Sequence, residues 1–387
     1  MVRRILTIGH SYVVRANRAL AYALQAEGRE EWEVRVVAPS YFHGTRDLRP
    51  VAFRGGEGEP CPVGVVPAWG TRWVHIFVYH WPALRRALQG RWDIIHAWEE
   101  PYILAGGELA AAAPRRSRFV FRTAQGSRRW YPPPFGWLER YTLAQSAGWI
   151  CSGQIVANHL RQRPEYARLP MAQIPLGVDV ERFRPDPAAS AAIRQQLGWS
   201  PDGPPVIGFL GRLTEEKGIR LLLEVLPRLP SPWRALFVGT GPLEGEIRAW
   251  SQRLDGKRIR LCTHVDHDHV HWYVNAMDIL VAPSQTMPRW REQFGRMLIE
   301  AMACGVPVVG SDSGEIPYVL GDAGLVLPEA DAAAWSAGLA DLLQNPARRQ
   351  ELGAAGRERA CHHYAWPVVA RQHLEFFQQL LDRPRND

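Results

Sequence analysis

At 387 residues the chain is too long for one ordinary domain, and 46% hydrophobic with 22% charged residues is the balance of a globular protein with large cores. No run approaches the roughly eighteen apolar residues of a membrane-spanning helix, and the five scattered cysteines form no Cys-x-x-Cys pair, so neither a disulfide framework nor a zinc ribbon is indicated. The net charge of +7 is uneven, with 25 basic and 16 acidic residues among the first 190.

That excess predicts an acidic partner for the N-terminal half, such as a phospholipid surface or a lipid diphosphate; a solvated arginine-rich surface gives the same count. A soluble protein in a reducing, cytoplasmic setting is expected. Only Lys217 and Lys257 are lysines among 46 basic residues.

The chain opens on MVRRILTIGHSYV, which reads as a first β-strand (5–9) rather than a signal peptide, because its apolar stretch is short and no small-residue cleavage site follows. Further strands are predicted at 33–39, 93–98, 118–124, 149–153 and 172–177, with helical stretches such as 16–28 and 103–113 between them. Residues 183–204 carry four prolines, with a fifth at 205, and read as a linker. The alternation then resumes with strands at 205–211, 234–241, 258–265, 278–284, 306–312 and 324–329, and 366–381 is an amphipathic helix. Alternating strands and helices predict an α/β protein with two parallel sheets. A ligand is expected in the cleft between the strands' carboxyl ends.

Two segments carry the chemistry. In GFLGRLTEEKG a buried strand ends at Gly211, and Arg212 and Lys217 follow closely enough to converge on one diphosphate. Thr214 is placed to cap the next helix, with Glu215 and Glu216 in its first turn. A solvated helix start has the same residues, but a lysine kept in an arginine-writing chain marks a place where a compact ammonium is wanted. In REQFGRMLIEAMACGVPVV, Gly295 lets backbone approach a ligand, and the helix that begins there can receive phosphate on its free N–H groups. Glu292 ahead of that helix is placed to grip sugar hydroxyls, and Glu300 within it to hold a ribose. Either carboxylate alone is also an ordinary helix-start charge.

Taken together these segments resemble the family 4 retaining glycosyltransferases, the GT-B proteins with two Rossmann-like domains facing across a cleft. The likeness runs through Gly211-Arg212, Lys217, Val238-Gly239-Thr240-Gly241-Pro242, His264-Val265, the strand from Asp278 to Ser284, Glu292-x-Phe294-Gly295-x4-Glu300, and Ile174 to Asp179 with Phe183. It implies an acceptor-side domain over 1–182, a linker over 183–204, a donor domain over 205–365 and a final helix (366–387) crossing back to the first domain. Arg212 and Lys217 would neutralise the donor diphosphate. Glu292 would orient the sugar with the backbone around Phe294, Gly295, Arg296 and Met297, Glu300 would hold the ribose, and backbone near Val265 would face the base. Gly9 and Gly211 would line the donor, and His96, ending the strand DIIHAW, stands where the family often has a histidine near the sugar.

The same resemblance implies a UDP-sugar or, next, GDP-mannose as donor. The acceptor would be a glycan, a lipid-linked sugar or a small-molecule hydroxyl, with polysaccharide biosynthesis the expected setting. No cofactor or metal would be needed, no nucleic acid is a partner, and configuration would be retained by front-face attack in which the leaving diphosphate takes the acceptor's proton. Two departures stand out. The first loop is GHSYVVRAN, without the family's Gly-Gly pair, so Gly9, His10 and Asn17 are the candidates there, His10 and Asn17 for the acceptor. The link SQTMPRWREQFG is longer than usual, putting Pro288 and Trp290 beside the site.

Glu99 and Glu100 are further acceptor candidates, or solvated charges. Tyr131, Phe135 and Trp137, flanked by Arg128 and Arg129, form an aromatic–basic loop suited to peripheral contact with a membrane's inner face, or a proline-ordered surface loop. Cys262, His264, Asp266, His267, His269 and His271 crowd together, but they straddle a strand end and a helix start, so no metal is expected. A nucleotide-sugar epimerase and a non-catalytic nucleotide-sugar-binding subunit remain alternatives. A dehydrogenase is disfavoured because no strand is followed by Gly-x-Gly-x-x-Gly.

Overall fold

The computed structural model describes residues 2–384 except 44–50, 56–57, 126–130, 231, 255 and 289. It divides into two compact units, Met1–Pro175 with Trp366–Asp387, and Leu176–Ala365.

The first unit is built on seven parallel strands: β1 Arg3–Ile8, β2 Trp32–Pro39, β3 Val63–Val66, β4 Ile94–Ala97, β5 Arg118–Thr123, β6 Gly148–Cys151 and β7 Met171–Gln173. Their order across the sheet is β7-β6-β5-β4-β1-β2-β3. The central strands are buried on both faces, which is why they read as unbroken apolar runs. The terminal helix Trp366–Asp382 belongs to this unit and buries Val369, Ala370, Phe376, Phe377 and Leu380 in its core. β3 escapes the sequence reading because Gly64 and two flanking prolines mask it; an edge strand tolerates both.

The second unit has six parallel strands: β8 Val206–Leu210, β9 Arg234–Val238, β10 Ile259–Cys262, β11 Ile279–Ala282, β12 Val308–Ser311 and β13 Leu325–Leu327. Their order is β10-β9-β8-β11-β12-β13. Both sheets therefore run outward from their first strand in two directions, which is the Rossmann arrangement. The point where the order reverses lies between β1 and β4 in one unit and between β8 and β11 in the other.

The proline-rich stretch read as a linker is structured. Pro187 starts a helix, Pro187–Gln196, whose N-cap Asp186 accepts from the Ala189 N–H. Proline suits a first helical position, so its density here marks a helix start as much as a break. Arg194 of that helix pairs with Asp278 at 2.8 Å, tying it to the second unit. The predicted strand over 258–265 stops at Cys262, because His264 takes a left-handed φ of 63°.

Candidate active site

The reversal point of the second unit is assembled by glycines. Gly239, after β9, has φ 145°, and a Cβ there would stand 1.8 Å from the Gly211 carbonyl oxygen after β8. Gly218 has φ 73°, and its Cβ would stand 1.8 Å from the Pro283 carbonyl oxygen after β11. Only glycine permits both the backbone angle and the approach. Between Gly211 and Gly218 the chain makes a single 3-10 turn, Glu215–Lys217. Gln285 N–H donates to the Glu216 carbonyl at 2.9 Å, stitching the two loops.

That closure brings Lys217 onto Glu292, with Nζ 2.5 Å from Oε2 and only 13% and 8% of the two side chains exposed. Ser284 Oγ donates to the same carboxylate oxygen at 2.9 Å. The ammonium also lies 5.0 Å from the centre of the Trp290 ring, so the lengthened link supplies a cation–π neighbour. The Glu292 backbone is fixed too: its carbonyl accepts from the Glu315 N–H at 2.9 Å, and Gly314 at φ 58° leaves room for it.

Gly295, at φ 78°, is the N-cap of helix Arg296–Ala303. The first N–H groups of that helix have no intrahelical acceptor, and its dipole favours an anion. Arg296 is half-exposed and Met297 is buried; Glu300 is buried within the helix, 3.9 Å from Arg296. Phe294 turns its ring into the core against Tyr364, so only its backbone faces the loop. Val265 packs partly buried on the same core.

Arg212 is exposed and bridges to Glu216 at 3.1 Å, a contact that water weakens. Each cation of the loop thus has its own carboxylate. The expected Thr214 cap does not form: its side chain makes no capping bond, and its Oγ1 is buried without a partner.

The first unit has its own cluster at the β1/β4 reversal. Gly9 ends β1 against Trp98, whose Cβ would lie 2.7 Å from a Gly9 Cβ. His10 follows. Its backbone N–H donates to Glu99 Oε1 at 2.5 Å, and its Nδ1 lies 2.6 Å from Glu99 Oε2. Tyr79 O–H donates to Glu99 Oε1 at 2.9 Å. Glu100 is held by Thr123 Oγ1 at 2.6 Å and the Ala124 N–H at 2.8 Å, and burial pushes its carboxyl up to about 7 despite those bonds. Asn17 Nδ2 donates to the Ser11 carbonyl at 2.9 Å and so braces the first loop.

His96 does not reach a rim. It is fully buried on β4, with Nδ1 3.2 Å from Thr7 Oγ1 and the rings of Trp98, His373 and Phe377 within 6 Å. Burial, then His373 and the charge of Arg122, hold it well below the usual histidine range. It is held neutral in the core, and its buried Nε2 has no hydrogen-bond partner among the described residues.

Two family models match this chain: "Glycosyl transferases group 1" over residues 190–359 and "Glycosyltransferase Family 4" over residues 13–182. A phosphatidyl-myo-inositol mannosyltransferase of Mycobacterium leprae is 33% identical over 93% of this chain and 90% of its own. The chain belongs to glycosyltransferase family 4. A GDP-mannose-dependent monoacylated alpha-(1-6)-phosphatidylinositol monomannoside mannosyltransferase of Corynebacterium glutamicum is 31% identical over 53% of this chain; the match spans 55% of that relative, about half its length. The fold matches that of sucrose-phosphate synthase from Thermosynechococcus elongatus with a TM-score of 0.71, at 20% identity over 98% of this chain and 99% of that one. These likenesses place the family member's two Rossmann-like units in the GT-B class.

Sequence reasoning missed Tyr79, Trp98 and Arg122 of this glycosyltransferase. Arg122 is buried, donates to Ser152 Oγ at 2.8 Å and the Ile174 carbonyl at 2.9 Å, and stacks 4.5 Å over Trp98. An arginine inside the apolar run RFVFRT was the available signal.

The Cys262–His271 residues disperse. Asp266 caps the turn His267–His269, Asp268 pairs with Arg182, His269 stacks on Trp272, and His271 packs near Phe183. Among the described residues no three His, Cys, Asp or Glu side chains gather as a metal ion requires. Tyr131 stacks on Tyr102, Phe135 starts a helix, and Trp137 is exposed; Arg128 and Arg129 lie outside the described residues.

Proposed function

We propose that this family 4 glycosyltransferase transfers a hexose from a nucleoside-diphosphate sugar to a hydroxyl of a glycan, lipid-linked or small-molecule acceptor. The observation that carries the reading is the Lys217–Glu292 pair, held by Ser284 beside the Gly295 helix start. Lys217, with Arg212, meets the diphosphate, the helix N–H groups receive its oxygens, and Glu292 orients the sugar. Three sources of positive potential make a divalent metal unnecessary, and a retained anomeric configuration follows the family pattern.

The resemblance puts a UDP-sugar first, but the relative named as GDP-mannose-dependent makes GDP-mannose the first donor to test. The cysteines form no disulfide among the described residues, which suits the cytoplasm. No helix among the described residues is long and apolar enough to cross a membrane. Peripheral contact is supported by the exposed Trp69, Trp73, Ile76 and Trp81, with Arg72, Arg85 and Arg86 close in sequence.

The test is a transfer assay with GDP-mannose and UDP-hexoses, with and without EDTA, and product configuration read by NMR. The nucleotide that is used should also protect against melting, by about 2.7 kcal/mol at a hundred times its dissociation constant. Strict metal dependence would overturn the charge assignment. Conversion of the sugar while still on the nucleotide would point to an epimerase.

A further inference from the structure

The segment that follows β3 turns apolar side chains outward on a fixed backbone. Ala68–Trp69 pairs antiparallel with Val78–Tyr79. The turn between them is closed by the Trp73 N–H on the Gly70 carbonyl and the Ile76 N–H on the Trp73 carbonyl, both at 3.0 Å. Phe77 and Tyr79 are sunk in the core and hold the hairpin from within, whereas Trp69, Trp73 and Ile76 are 57, 56 and 47% exposed. The helix that follows, Trp81–Ala87, repeats the division: Leu84 is buried, and Trp81, Arg85 and Arg86 are exposed. His80 joins the two elements, its ring 5.0 Å from that of Trp69.

The charge of this segment has one sign. From Pro60 to Trp92 there is no aspartate or glutamate, but there are four arginines. Arg72, Arg85 and Arg86 are exposed, and none of the three forms an ion pair among the described residues. Arg85 lies 5.9 Å over the Trp81 ring. The start of helix Phe135–Gln145 adjoins, with the Phe135 ring 6.4 Å from that of His75. This helix adds Trp137, Arg140 and Tyr141, all exposed and spaced to share one face. Its one acid, Glu139, is buried on Arg163 at 2.7 Å.

We infer that this face of the first unit docks on an anionic lipid surface, with Trp69, Trp73, Ile76 and Trp81 among the headgroups and Arg72, Arg85 and Arg86 on lipid phosphates. The headgroup layer is where indole rings settle, and its phosphates supply the charge that the arginines lack. A second copy of this chain would instead set arginine against arginine. The inference rests on the peripheral contact proposed above and gives it a direction. On its inner side the hairpin reaches the β1/β4 reversal, through Phe77 5.5 Å from the His10 ring and Tyr79 on Glu99. Docking brings the carboxyl edge of the first sheet to headgroup level, where a lipid-borne acceptor carries its hydroxyl.

The experiment is cosedimentation of the full chain with vesicles of phosphatidylcholine alone, and of phosphatidylcholine mixed equally with phosphatidylglycerol. The parent should bind the mixed vesicles, more weakly as salt rises, and leave the neutral ones largely unbound. Arg85→Gln with Arg86→Gln should weaken binding roughly thirtyfold, about fivefold for each arginine near such a surface. Arg248→Gln with Arg253→Gln makes the same change of charge on exposed positions of helix Glu244–Leu254 in the second unit, and should bind as the parent does. Trp69→Ser with Trp73→Ser should weaken binding about tenfold or more, through lost apolar area. All these variants should melt as the parent does.

Parental binding in both the arginine and the tryptophan variants would overturn the inference and leave peripheral contact to another surface. A parent that binds neutral vesicles equally well would overturn it too, and one that binds no vesicle would sink the peripheral reading with it. A parent dimer that Trp69→Ser with Trp73→Ser dissociates, without vesicle binding, would assign the face to a second copy.

Discussion

At the scale of single residues, the Lys217–Glu292 contact changes what each side chain is expected to do. A cation assigned to a diphosphate is already matched by a carboxylate at 2.5 Å. Removing that carboxylate should release the ammonium for an anion, while removing the ammonium leaves a buried carboxylate beside the phosphate site. Glu292→Gln should therefore bind free nucleoside diphosphate at least as tightly as the parent, yet transfer sugar poorly. Lys217→Ala should bind it more weakly and lose about 10²–10³-fold in turnover, the usual loss for one preorganised charge stabiliser. Lys217→Arg should restore little, because a planar guanidinium over Trp290 presents its donors differently. Nucleotide titrations beside transfer assays check all three, and equal nucleotide affinities across the set would refute the charge assignment.

At the scale of elements, the loops after β8 and β11 meet only because Gly218 has no side chain. Gly218→Ala must adopt φ near 73° and push against the Pro283 carbonyl. Left-handed backbone at a non-glycine costs on the order of 1–3 kcal/mol, and the displaced loop should also lose nucleotide affinity. Gly245 is the contrast: it sits in helix Glu244–Leu254 with open space around its would-be Cβ. Gly245→Ala should be neutral or stabilise by up to about 1 kcal/mol. Melting curves with and without nucleotide separate the two; a harmless Gly218→Ala would mean the loops are not held together as described.

The elements themselves were largely legible, for a physical reason. Strands such as ILTI, DIIHA and DILVA lie buried on both faces, so the chain writes them as continuous apolar runs, and Gly9 marks the carboxyl edge of the first. The loop after β8 was legible because its glycines and lysine are local. What sequence could not give was pairing at a distance. Nothing in DIIHAWEE says that His96 faces the core while Glu99 faces His10, since neighbours on a strand alternate and the faces are fixed only by packing. The helix Pro187–Gln196 was lost because proline signals both a break and a first helical turn.

For the whole molecule, the pH dependence of stability should be concentrated in the first unit, and it should be the sum of two opposing groups. His96 and His373 are buried and neutral; burial and Arg122 hold His373 down to about 3. Unfolding lets such a ring protonate near 6.5, so each stabilises fully above that pH and loses about 1.4 kcal/mol per unit as pH falls towards its folded value. Glu100 and Glu108 act the other way, since burial raises both to about 7. The unfolded chain releases their protons near 4.5, so their contribution is present below that and is lost as pH rises through 7. The total can look flat between 4.5 and 7 although its parts are steep. Single substitutions expose them: the destabilisation caused by His373→Gln should shrink by about 2 kcal/mol between pH 6.5 and 5, while Glu100→Gln should gain stability relative to the parent from pH 5 to 8. Amide hydrogen exchange in β4 and β5 reads the first unit without interference from the second. If both differences held constant across that range, these side chains would not be titrating as their burial requires.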